Sequence, residues 1–104
     1  MKVTAFVGSP RKTGNTATII RALLKGAEEE HAKTAIHYLG EKTINGCTGC
    51  YSCRDTKKCV IDDDMRDIYR DIENADTLVF ASPIYYYTVT GQFKTFLDRT
   101  FPYY

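Results

Sequence analysis

The apolar residues of this chain change their period repeatedly, and that alternation limits the possible folds more than any other feature of the sequence. A short apolar run, Val3-Thr4-Ala5-Phe6-Val7, gives way to helical spacing at Ala17, Ile20, Leu23, Leu24 and Ala27. A second strand-like run follows at Ala35-Ile36-His37-Tyr38-Leu39, so these segments make one strand–helix–strand unit. Met65, Ile68, Tyr69 and Ile72 predict a second helix, Thr77-Leu78-Val79-Phe80-Ala81 a third strand, and Val89, Phe93, Phe96 and Leu97 a third helix. The expected class is α/β: a parallel sheet with helices on its faces, right-handed crossovers, and ligands beyond the carboxyl ends of the strands. The loops after residues 7, 39 and 82 should therefore converge.

At 104 residues the chain is expected to form a single domain, 1–104, burying roughly two-thirds of the surface its unfolded form exposes. No repeat, low-complexity tract or linker divides it. With 14 Lys plus Arg against 13 Asp plus Glu, and a net charge of +1, nothing calls for a nucleic-acid or membrane-surface partner. The N-terminus has no signal-peptide pattern and no apolar stretch is long enough to span a bilayer, which makes a cytoplasmic location the expectation. Four cysteines, Cys47, Cys50, Cys53 and Cys59, fall within thirteen residues. Crowded into one segment, they read as metal ligands or redox thiols rather than as a disulfide framework spread through the chain.

The loop Gly8-Ser9-Pro10-Arg11-Lys12-Thr13-Gly14-Asn15-Thr16 is the candidate phosphate cradle. Small and turn-forming residues let the backbone approach an anion, and a helix beginning at Asn15 and Thr16 would point free N–H groups at it. Ser9 and Thr16 add hydroxyl donors, and Arg11 adds a charged fork. The loop lacks both the terminal Gly-Lys-Ser/Thr of the nucleotide-binding loop and the three glycines of the dinucleotide fingerprint, so a monophosphate suits it better. An ordinary strand-to-helix turn with a polar cap has the same composition.

That loop after a first strand, together with Ser82-Pro83-Ile84-Tyr85 after a third, resembles the NAD(P)H-dependent FMN reductases, whose fold is flavodoxin-like, a three-layer α-β-α sandwich. The resemblance implies an FMN-binding oxidoreductase that takes electrons from NAD(P)H or a reduced carrier. By position it assigns the FMN phosphate to Ser9, Arg11, Asn15 and Thr16, and the isoalloxazine to Pro83, Ile84 and Tyr85. Pro83 would fix the backbone where a flat ring passes, with an apolar and an aromatic side chain beside it. No general acid or base is expected, because the flavin carries the chemistry and the protein supplies stacking and orientation. Tyr86 and Tyr87 are expected in core packing or at an oligomer interface rather than on the flavin.

Cys-x2-Cys-x2-Cys-x5-Cys followed by Val60-Ile61-Asp62-Asp63-Asp64-Met65 is similar to the compact motif of the iron–sulfur flavoproteins, where four thiolates hold a [4Fe–4S] cluster near FMN. Two-residue gaps suit sulfurs that curl around a cube, with Gly46 and Gly49 relieving the backbone and Arg54, Lys57 and Lys58 balancing an anionic group. Two alternatives stay open. One is bare thiols in a reductase working with FMN alone; the other is zinc, or a protein partner, bound by a non-enzymatic domain.

Elsewhere, Asp62-Asp63-Asp64 is expected to cap the second helix, Glu28-Glu29-Glu30 to form a solvated helix end, and His31 and His37 to be surface or packing residues. Proteins of the resembled family run to nearly twice this length. A sheet of strand order 2-1-3 would leave the third strand with an open apolar edge, so the chain is expected to be the N-terminal part of the fold, or to complete itself as a homo-oligomer.

Overall fold

The centre of the molecule is the first strand, where apolar residues are needed on both faces. In the computed structural model, which describes all 104 residues, five of its six residues are buried. The element order is β1 (Lys2–Val7), α1 (Asn15–Glu29), β2 (Lys33–Tyr38), α2 (Ser52–Thr56), α3 (Met65–Asn74), β3 (Thr77–Ala81) and α4 (Gly91–Asp98), with single 3₁₀ turns at Leu39–Glu41 and Phe101–Tyr103. The three strands form one parallel sheet in the order β2-β1-β3, with Val3 opposite Thr34 and Thr77 and Val7 opposite Tyr38 and Ala81. This is the α/β architecture that the alternating periods predict.

Strand side chains alternate between faces, so β1 supplies both cores. Val3, Ala5 and Val7 pack against Ala17, Ile20 and Leu24 of α1. On the opposite face Phe6 packs with Met65 and Ile68 of α3 and Phe93 and Phe96 of α4. The Phe6 ring stacks on Phe96 at 4.7 Å and on His37 at 5.3 Å. Burying each large apolar side chain stabilises the fold by roughly 1.5–3 kcal/mol, which outweighs the weak strand propensity of Ala5.

Several boundaries differ from the sequence expectation. Leu39 is buried but sits in the 3₁₀ turn beyond β2, and Val89 lies before α4, whose N-cap is Thr90. Leu23 falls on the exposed side of α1, whose buried face is Ala17, Ile20 and Leu24. The Asp62-Asp63-Asp64 run divides its work: the Met65 N–H donates to Asp63, while Asp64 accepts from the Thr43 N–H. His37 is a packing residue with a carboxylate partner, its Nε2 lying 2.6 Å from Asp71 on α3. β3 ends the sheet on one side, and the Phe80 side chain on it remains 48 % exposed.

Candidate functional site

All three loops leaving the carboxyl ends of the strands meet. The Gly8 N–H donates to the Ala81 carbonyl at 2.7 Å, and the Thr90 hydroxyl donates to the Gly8 carbonyl at 2.6 Å. The same hydroxyl accepts from the Phe93 N–H at 3.1 Å, capping α4, while the Thr90 N–H donates to the Ser82 hydroxyl at 3.0 Å. Thr90 is fully buried and thus ties the β1 loop, the β3 loop and α4 together. Gly8 fits there because a Cβ would stand 2.8 Å from the Phe93 Cβ. The Leu39–Glu41 turn joins from the other side, with Gly40 against Pro10 and Lys12 Nζ 3.1 Å from Glu41.

In the first loop, Ser9 is buried and its hydroxyl accepts from the Arg11 N–H at 3.1 Å. Arg11 and Asn15 face solvent, and Thr16 is half-buried in the first turn of α1. The N-cap of this 15-residue helix is Gly14, no side chain caps it, and its first turn carries no acidic residue. The opening N–H groups of α1 therefore stand free beside Arg11, a setting that favours an anion. Arg21 holds the loop from behind by donating to the Lys12 carbonyl at 2.6 Å.

In the third loop, Pro83 is half-buried, Tyr85 is partly exposed and Ile84 is 80 % exposed. Tyr85 and Thr88 exchange two backbone hydrogen bonds, at 2.8 and 3.2 Å, around a two-residue turn. Its central residues, Tyr86 and Tyr87, have φ of 49° and 72° and rings 94 % and 92 % exposed. No hydrogen bond joins Ser9, Arg11, Asn15 or Thr16 directly to Pro83, Ile84 or Tyr85; their loops meet through Gly8, Ser82 and Thr90.

The cysteine segment is mostly irregular, with Cys53 in the short α2 between left-handed residues Tyr51 and Lys57. Gly49, at φ 71°, turns the chain between Cys47 and Cys50. All four thiols are free, and all four line one cavity of about 320 Å³ that Arg99, Phe101 and Pro102 also line. No three His, Cys, Asp or Glu side chains are arranged to hold a single metal ion. The Ser52 N–H and hydroxyl beside Cys50 hold its thiol below the ordinary cysteine range.

Sequence reasoning missed what supports this loop. The Arg99 side chain is fully buried and donates to both oxygens of Asp63, at 2.6 and 3.1 Å, and to the Asn45 carbonyl at 2.8 Å. Asp63 also accepts from the Asn45 and Met65 N–H groups. Burial pushes the Asp63 carboxyl up, but Arg99 and those N–H donors outweigh it and hold it below the usual carboxylate range. Tyr69 donates to the Arg99 carbonyl at 2.6 Å; burial and the charge of nearby Cys59 push its phenol up. Only the acidic run before α3 offered a signal for this group. α4, eight residues and so about 12 Å long, has the Thr90 junction at one end and the cysteine cavity at the other.

Comparison with known proteins identifies the family to which the chain belongs. The family model described as NADPH-dependent FMN reductase matches residues 1–103. The chain is 43% identical over 103 residues to an iron-sulfur flavoprotein of Archaeoglobus fulgidus, covering 99% of this chain and 47% of that protein. It is 39% identical over 100 residues to an iron-sulfur flavoprotein of Methanosarcina thermophila, covering 96% and 52% of the two chains. The fold is similar to that of an NAD(P)H:quinone oxidoreductase from Methanothermobacter marburgensis, with a TM-score of 0.78 at 17% identity, over 97% of this chain and 53% of that one. The chain spans about half the length of the curated relatives it matches. With the α/β fold of order 2-1-3 and a family match from end to end, this chain belongs to the NADPH-dependent FMN reductase family.

Proposed function

We propose that this chain is an FMN-binding electron-transfer oxidoreductase in which Cys47, Cys50, Cys53 and Cys59 hold a [4Fe–4S] cluster. The observation that carries this reading is the single cavity lined by all four thiols. A cube of four irons asks for sulfurs set around a space wider than one ion, and four thiols about a shared cavity provide such a space. The similarity to iron-sulfur flavoproteins supports the same choice.

Ser9, Arg11, Asn15 and Thr16 would receive the FMN phosphate, for which the uncapped N-terminus of α1 supplies oriented N–H donors. Pro83, Ile84 and Tyr85 would lie along the isoalloxazine, where the exposure of Ile84 leaves apolar surface for a flat ring. When bound, the flavin supplies two-electron chemistry with NAD(P)H and the cluster one-electron exchange with a further donor or acceptor. The residues of this chain then bind and orient: Thr90 sets the two flavin loops against each other, and α4 holds them at a constant separation from the cysteines. A homo-oligomer is part of this proposal, because β3 presents an open apolar edge.

The deciding experiment is anaerobic reconstitution with FMN, iron and sulfide, followed by an absorption spectrum and metal analysis of the same sample. Flavin bands with matched iron and sulfide are expected, at about four irons per chain. Flavin with no iron would reduce the reading to a plain FMN reductase, and zinc with neither flavin nor turnover would replace it with a metal-binding module.

A further inference from the structure

We propose that Arg99 is a positioning residue for the cysteine loop, fastening its two ends together from inside the core so that the four thiols face one cavity. What the loop holds rests on the function proposed above; how it is held does not.

The segment from Asn45 to Ile61 carries every cysteine, yet its only regular structure is the five-residue α2. Such a loop needs its ends tied, since loop-closure entropy otherwise favours an open ensemble in which the thiols diverge. Outside a Thr43–Asp64 pair that joins the flanks, with N–H donors running both ways at 2.6 and 3.1 Å, the tie lies at residues 45 and 61–63. Asn45 has its carbonyl satisfied by Arg99 Nη1 at 2.8 Å and its N–H satisfied by Asp63 Oδ2 at 2.9 Å. The ion pair thus replaces the neighbouring strand that would ordinarily satisfy both backbone groups of such a residue. On the exit side Asp63 takes both Arg99 nitrogens, and the Ile61 carbonyl lies 3.5 Å from Nη2.

A guanidinium suits this task because its planar fork reaches a carboxylate and a carbonyl at once. Both side chains are buried, Arg99 at 0% and Asp63 at 2% exposure, so water does not compete for these bonds. Arg99 follows α4 directly, and α4 is fixed to the sheet by Phe93 and Phe96. The loop is therefore referred to the rigid core rather than to its own flexible chain. Arg99 also lines the cysteine cavity, and its buried Nε has no partner.

The test uses the full 104-residue chain and separates positioning from simple filling of the core. The double variant Arg99→Met with Asp63→Asn replaces the buried pair by neutral residues of similar size, an exchange that folds commonly tolerate. Arg99→Lys keeps the charge but loses the fork. Metal-free proteins are treated with trypsin, whose sites Arg54, Lys57 and Lys58 all lie in the loop, and thermal unfolding is followed alongside. The expected result is a nearly unchanged melting temperature in the double variant with cleavage after those three residues about tenfold faster, since cleavage tracks local opening. Arg99→Lys should fall between the two, and retention of reconstituted iron should decline in the same order. Equal loop cleavage in wild type and both variants would overturn the proposal. If the double variant does not fold, the wild type against Arg99→Lys comparison carries the same decision. If wild type takes up no iron, the cluster reading fails, while the trypsin comparison still judges Arg99.

Discussion

Asp63 shows how one side chain comes to hold more than its sequence context suggests. Within an acidic run it reads as a helix cap, and it does accept the Met65 N–H, but its main partner is Arg99, 36 residues away. Its carboxyl is held below the ordinary range, so its contribution to stability is fully present above about pH 4 and is lost as pH falls through the lowered folded value. Asp63→Asn leaves Arg99 buried without a charge partner and is expected to cost about 3–5 kcal/mol at pH 7, with the gap to wild type narrowing below about pH 4. Denaturant melts across that range check both the size and the sign. Cys50 makes a second residue-scale prediction: its lowered thiol should make it the first of the four to be alkylated by iodoacetamide at neutral pH in the metal-free protein. Mass spectrometry of early time points checks the order, and uniform labelling would count against it.

Among the elements, the turn at Tyr86 and Tyr87 stands out because two non-glycine residues adopt positive φ in succession. The flanking Tyr85–Thr88 pairing requires a turn of that hand, for which Asn-Gly is the low-strain solution. Left-handed backbone costs a residue with a Cβ roughly 1–2 kcal/mol, yet the rings gain no burial in return. The variant Tyr86→Asn with Tyr87→Gly is therefore expected to raise stability by about 1 kcal/mol or more, measured by chemical denaturation. FMN affinity should hold, since Tyr85 rather than these two is assigned to the proposed ring site; a large loss of affinity would move the flavin contact outward. α1 illustrates how local chemistry and position combine. Gly14 leaves its N-terminus uncapped, a local fact that acquires a use only because β1 delivers that end of the helix to the carboxyl edge of the sheet.

For the whole molecule, the sheet is asymmetric. β2 begins with the exposed Lys33 and is otherwise buried or half-buried, whereas β3 ends the sheet on the other side with Leu78 and Phe80 exposed. An apolar edge with free backbone groups is a template for pairing. Light scattering at micromolar concentration is expected to give a mass above the monomer, and Phe80→Lys, which puts a charge on that strip, is expected to shift the population toward monomer. A monodisperse monomer for the unaltered chain would refute the expectation of self-association.

The order of elements was legible in the sequence because period is a local property: Val3, Ala5 and Val7 against Ala17, Ile20 and Leu24 declare a strand and a helix before either folds. The cysteine spacing was legible for the same reason, since a chain segment this short limits where its thiols can point. The parts that only the tertiary structure decided are those whose partners lie far apart along the chain. Thr90 reads as an unremarkable polar residue until it meets Gly8, 82 residues away, and Arg99 as an ordinary end-of-helix cation until it meets Asn45 and Asp63. Buried polar groups must find partners wherever the fold brings them. Local pattern therefore determined which elements form, and packing determined which side chains hold the two candidate sites together.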